Sequence, residues 1–198
     1  MTGPLPGSFG LSRIGGLLGM AVAAGQAFTF DGSRYTHAFV VVDGQSVVQA
    51  MPSGAELAPL ADFLGRDDVR FTDAPVLQAL DAFHDDPRRG LGNPPSSAEM
   101  AAYERNLRAA ISGEARQLIG TPYSFADYLA LSLAHLGVRA RPLRSYILGS
   151  GHMICSQLVD EVYRRQGVHL FDDGRLPMDV TPGDLDAYRV AQLEAVAR

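Results

Sequence analysis

The chain holds a single cysteine among 198 residues. Such a thiol is either a small buried hydrophobe or a nucleophile. Cys155 lies in Gly151-His-Met-Ile-Cys155-Ser-Gln157, where a loop gives way to an amphipathic pattern, so it falls at the start of a helix. A helix N-terminus presents unpaired N–H groups and positive dipole density. Both favour thiolate over thiol, and the same N–H groups can hold the oxyanion of an attacked carbonyl. The chemistry implied is acyl transfer through a covalent thioester.

A thiol nucleophile needs a base, usually histidine, oriented by a third polar group. The chain has five histidines. His84 stands with Asp85 and Asp86 in what reads as a solvated acidic turn rather than a metal site. His135 is near the end of a helical pattern, and His169 follows a helix stop. His152, three residues before Cys155, is a rival base. His37 begins a strongly apolar strand, where an imidazole requires a partner. Gln49 lies twelve residues later, and its amide can fix the tautomer and orientation of an imidazole.

Strand geometry makes that pairing conditional. Thr36–Val42 and Gln45–Ala50 are β-branched and apolar runs around Asp43-Gly44, a hairpin signal. A two-residue loop turns Gln49 away from His37. A three-residue loop, Asp43-Gly44-Gln45, sets Phe39 opposite Gln49 and puts Gln49 on the face of His37, one diagonal step away.

The remaining elements must bring Cys155 to this hairpin. Phe9–Ile14 reads as a short strand and Val69–Thr72 as another. Leu57–Leu64 reads as a short helix or turn. Helical spacing covers Pro75–Phe83, Ser97–Ile119, Phe125–Leu136, Met153–Gln166 and Gly183–Ala197. Gly15–Phe28 reads as a buried helix: it is apolar but short for a membrane span, and neither its flank nor any cleavage site fits a secretory signal well. Residues 1–8 read as an irregular lead-in and Asp85–Ser97 as a loop. No repeat or linker divides the chain, so one α+β domain over 1–198 is expected.

The phrases quoted above resemble a known superfamily. Tyr35-Thr-His37-Ala-Phe-Val-Val-Val-Asp-Gly-Gln-Ser-Val-Val-Gln49-Ala is similar to the histidine-bearing hairpin of the NlpC/P60 papain-like enzymes. Ile154-Cys155-Ser156-Gln157-Leu158-Val159 resembles their nucleophile helix, Gly120-Thr-Pro-Tyr123-Ser their tyrosine segment, and Ala50-Met-Pro-Ser-Gly54 an Ala-x-Pro-x-Gly turn. The hairpin precedes the cysteine, the order of the circularly permuted, YiiX-like branch, to which lecithin:retinol acyltransferase-like enzymes are also related. The resemblance implies a permuted papain-like fold, with an antiparallel sheet (hairpin 36–50) packed against helices that include the Cys-bearing helix 153–166. It implies Cys155 as nucleophile, His37 as base and Gln49 as its orienting partner. Tyr123 and Ser156 would serve the oxyanion or position substrate. No cofactor or metal is implied. The substrate expected is a peptidoglycan-type peptide or another N-acyl or γ-glutamyl amide. The chain has no tryptophan and so lacks the Trp-Gly-Gly neighbourhood of cell-wall peptidases. The alternatives are a lipid acyltransferase or thioesterase, and a non-enzymatic scaffold with an inert cysteine.

Composition excludes other chemistry. All 17 basic residues are arginine, which removes lysine-dependent phosphate loops and Schiff-base catalysis. One cysteine rules out an intrachain disulfide and a cysteine-rich zinc site. A net charge of −5 argues against nucleic acid as a partner, and the cluster Arg139, Arg141 and Arg144 reads as a solvated loop. No integral membrane segment is expected. A cytoplasmic location and export without a clear signal peptide remain equal expectations, and oligomeric state is left open.

Overall fold

The computed structural model describes residues 3–13, 33–51, 53–86, 94–122 and 154–196. The helices read at Gly15–Phe28 and Phe125–Leu136, and the residues Tyr123, His135 and His152, lie outside them. Five strands form one antiparallel sheet: β1 (Phe9–Ser12), β2 (His37–Val41), β3 (Ser46–Met51), β4 (Gly54–Pro59) and β5 (Arg70–Thr72). Their order across the sheet is β4-β3-β2-β1-β5. Four helices accompany them among the described residues: α1 (Ala74–His84), α2 (Ser97–Gln117), α3 (Cys155–Arg165) and α4 (Pro182–Val196). The class is therefore α+β.

Every residue of β2 is buried, which explains its unbroken apolar run: both faces of the strand are covered. Ala38 and Val40 join Val48, Leu158, Val159 and Val162 in the main core under the helices. Phe39 and Val41 join Val47, Leu60, Phe63 and Val69 in a smaller core on the other face. Gly10 is required here. It sits opposite Phe39, and a Cβ at Gly10 would fall 2.2 Å from the Phe39 ring.

The hairpin has the odd loop. Phe39 faces Gln49 and Val41 faces Val47, and the Val42 N–H donates to the Ser46 carbonyl at 3.0 Å. Asp43, Gly44 and Gln45 are left as the loop, closed by the Gln45 N–H donating to Asp43 Oδ1 at 2.8 Å.

One sequence expectation is corrected in part: the short helix or turn read at Leu57–Leu64 is present only from Leu60. Leu57–Leu64, read as a short helix or turn, supplies the second half of β4, which begins at Gly54, and then the 3-10 turn Leu60–Asp62. Ala55-Glu-Leu-Ala58 is good helix-forming material, but pairing with β3 overrides the local preference. Gly54 makes the reversal with φ of +118°, a backbone state that favours glycine. The strand is an edge, ends in Pro59, and exposes Leu57.

The other elements that fall on described residues agree with the pattern within a few residues. Ser96 and Glu99 form a reciprocal capping box at the start of α2. The lead-in is irregular but anchored: the Gly7 carbonyl accepts from the Tyr163 hydroxyl at 2.7 Å, and Arg108 donates to the Pro6 carbonyl and to Asp73. No helix of the described residues is long and apolar enough to cross a membrane.

Candidate active site

Helix α3 packs against β2 and β3 and starts at Cys155. Its N-cap is Ile154, whose side chain cannot accept a hydrogen bond. The first N–H groups are therefore not consumed by the N-cap side chain, as they would be behind Ser, Thr or Asp. The backbone N–H groups of Ala38 from β2, of Ser156 and of Cys155 itself each favour the thiolate form of this sulfur.

The alternation of β2 decides where His37 stands relative to that thiol. His37 follows the parity of Phe39 and Val41, and its ring lies 6.1 Å from that of Phe39, centroid to centroid. Ala38 points to the helix side with Cys155. By this alternation the imidazole follows the Phe39 face of β2 and the sulfur lies on the Ala38 face, so the two are neighbours of one peptide unit rather than of each other. Among the described residues no hydrogen bond links them, and His37 Nδ1 is buried without a partner.

The other ring nitrogen is held. His37 Nε2 lies 2.8 Å from Gln49 Oε1, and both residues are buried. A carbonyl oxygen only accepts, so Nε2 carries the hydrogen and Nδ1 keeps a bare lone pair. Gln49 in turn donates through its Nε2 to Glu56 Oε1 at 3.2 Å, and the Ser53 hydroxyl donates to Glu56 Oε2 at 3.0 Å. Glu56 stands directly opposite Gln49 in the β3–β4 register. Sequence reading missed Glu56 because it missed β4; the signal was the run Ala55-Glu-Leu-Ala58 read with period two.

Burial sets the electrostatics. The Cys155 thiol is pushed up to about 11, chiefly by desolvation, against the lowering by the N–H groups of Ala38, Ser156 and Cys155. His37 is pushed down to about 4, again chiefly by desolvation; the hydrogen bond to Gln49 opposes this and the Arg66 charge adds to it. The two shifts move the pair away from an ion pair. Between these values the resting site holds a neutral thiol and a neutral imidazole whose free nitrogen can take a proton.

The supporting residues divide. The Ser156 hydroxyl donates to the Val180 carbonyl at 2.6 Å and is fully buried, so it ties α3 to the segment before α4. The hydroxyl expected to serve the oxyanion or position substrate is thus engaged with Val180, while the Ser156 backbone N–H favours the thiolate of Cys155. Tyr123 lies outside the described residues, but the chain leading to it is docked beside β4. Ala55 N–H donates to the Thr121 carbonyl at 2.8 Å, and Gly120 N–H donates to the Ala55 carbonyl at 2.7 Å. The two glycine-containing motifs of the sequence, around Gly54 and Gly120, are thus neighbours. His84 pairs with Asp85 in an exposed contact away from this site. Among the described residues no group of three His, Cys, Asp or Glu could hold a metal ion.

Compared with known protein families and with curated proteins, the chain matches no family model and no curated protein.

Proposed function

We propose that the protein is a cysteine hydrolase of the permuted NlpC/P60, papain-like kind, cleaving an amide through an acyl-enzyme on Cys155. One observation carries the reading. The only sulfhydryl of the chain lies at a helix start, against the amide of Ala38, while the adjacent His37 is held through Nε2 with Nδ1 bare.

The chemistry follows from the neutral resting pair. The reading requires the imidazole to reach the sulfur across the start of β2; as the sulfur attacks the substrate carbonyl, His37 Nδ1 then takes the thiol proton, so base catalysis accompanies bond formation. The N–H groups at the start of α3 face the region where the oxyanion develops. The imidazolium then protonates the departing amine, leaving a thioester. Water enters, gives its proton to Nδ1 and attacks the thioester; the carboxylic acid leaves and Cys155 recovers its proton. Gln49 Oε1 accepts from Nε2–H throughout and favours the imidazolium more as charge develops, though less than a carboxylate would. Peptide-type and N-acyl amides are the substrate class.

The test uses acyl electrophiles of graded character, peptidyl, short N-acyl and long-chain lipid, with mass detection of the adduct. Adducts on Cys155 that vanish in Cys155→Ala and fall at least a hundredfold in His37→Ala support the reading. Equal adduct formation in wild type and His37→Ala removes the base and the proposal with it. Preference for long-chain lipid esters over every amide would reassign the substrate class.

A further inference from the structure

We infer that Glu56 is a positioning residue that fixes the tautomer of His37 from two side chains away. The inference rests on the hydrolase reading for its purpose but not for its geometry. Glu56 touches neither the sulfur nor the imidazole. Its carboxylate lies 3.2 Å from Gln49 Nε2 and is itself held by the Ser53 hydroxyl.

The reasoning is a sequence of donor and acceptor constraints. A carboxylate has only acceptor atoms, so the amide nitrogen of Gln49 must face Glu56. That turns the amide oxygen toward His37, at 2.8 Å. An amide oxygen also only accepts, so the hydrogen of the neutral imidazole must sit on Nε2. Nδ1 is then the basic nitrogen, and it is the atom left without a partner. Reversing the first constraint reverses the last. With Gln49 free to turn, its NH2 can face His37, the hydrogen moves to Nδ1, and the site loses its base without losing any catalytic residue.

The register of the sheet supports this assignment over an accidental surface contact. Gln49 and Glu56 are directly opposed in β3 and β4. The turn between the strands uses Gly54 at positive φ, where another residue would be strained. Gly54 and Ala55 also contact the Thr121 segment, which fixes the strand start. Glu56 therefore reaches Gln49 from a rigid edge strand.

The experiment is nitrogen-15 NMR of the histidine rings, with Glu56→Gln and Glu56→Leu beside wild type. Near neutral pH wild type is expected to show His37 protonated only at Nε2. Both variants are expected to show at least half of His37 protonated at Nδ1, with a matching fall of at least twofold in the acylation rate of Cys155 and little change in KM. Glu56→Gln retains size and polarity, so it keeps the test decisive if Glu56→Leu is poorly folded. A purely Nε2-protonated His37 in folded Glu56→Gln overturns the inference. The ring spectra do not depend on turnover. A tautomer shift in a protein that never acylates would keep Glu56 as the determinant and discard the hydrolase.

Discussion

The neutral thiol–imidazole pair can be tested by following Cys155 alkylation with iodoacetamide from pH 5 to pH 11. Only the thiolate reacts, so the rate reports its population. A thiol displaced from its usual 9.0 to about 11 has roughly a hundredfold less thiolate at every pH below 9. At pH 8 that is about 0.1% instead of about 10%. The rate is therefore expected to be about a hundredfold below that of an unstructured cysteine peptide, and lower still because access to the buried sulfur is restricted. It should rise with pH to an apparent midpoint near 11. Substrate acylation should behave differently, since Nδ1 supplies the base. Its rate should rise through about pH 4 as His37 sheds its proton, and then hold across neutrality. The two profiles must therefore separate. An alkylation midpoint at or below 9, with fast reaction at pH 6, would mean a preformed thiolate–imidazolium pair. That result would refute the argument that burial governs this site.

Three further outcomes follow from the same geometry. His37 is neutral in the fold and pushed down to about 4 from 6.5, so the unfolded chain binds the extra proton between those values. Stability contributed by the neutral ring is present above pH 6.5 and lost as pH falls toward 4, by about 3 kcal/mol if burial is complete. Asp160 is raised to about 6 and works in the opposite sense over nearly the same range, so urea melts of wild type against His37→Gln at pH 4.5 and 7 are needed to isolate the slope. Gly10→Ala puts a Cβ against the Phe39 ring, which is already wedged 4.1 Å from that of Phe63. A loss of roughly 1–3 kcal/mol is expected in denaturant melts, together with shifted His37 ring resonances. Ser156→Ala leaves the Val180 carbonyl without its donor; stability should fall by about 1–3 kcal/mol while acylation per folded molecule stays within a few-fold.

The hairpin was legible because period two is a rigid constraint. Once His37 and Gln49 were required to share a face, only an odd loop satisfied the parity, and the register Phe39 opposite Gln49 is the one observed. The helix at Cys155 was legible from its apolar spacing and its glycine stop. What escaped was decided by tertiary context. Glu56 belongs to a strand whose residues favour helix in isolation, and only β3 makes them extended. Ser156 looked like a site residue by its place next to Cys155, but its hydroxyl is drawn to Val180, 24 positions away. The direction of the two pKa shifts also escaped. A helix N-terminus argues for a thiolate, yet desolvation is the larger effect, and no local sequence feature measures it.

That last reversal bears on how such a site works. If the N–H groups around the sulfur outweighed burial, Cys155 would rest as an anion, and His37 would act mainly as its counter-ion and later as an acid. Burial instead keeps the proton on the thiol, so on the proposed hydrolase reading the first step depends on a nitrogen that is bare and correctly turned. A resting ion pair tolerates an imprecise imidazole, because the proton has already moved. A neutral pair does not: a ring protonated on the wrong nitrogen is inert. The more the site relies on desolvation, the more its reactivity must rest on Gln49 and Glu56, which carry no reacting atom. For this reason the tautomer of His37, rather than the acidity of Cys155, is the quantity on which activity should depend most steeply.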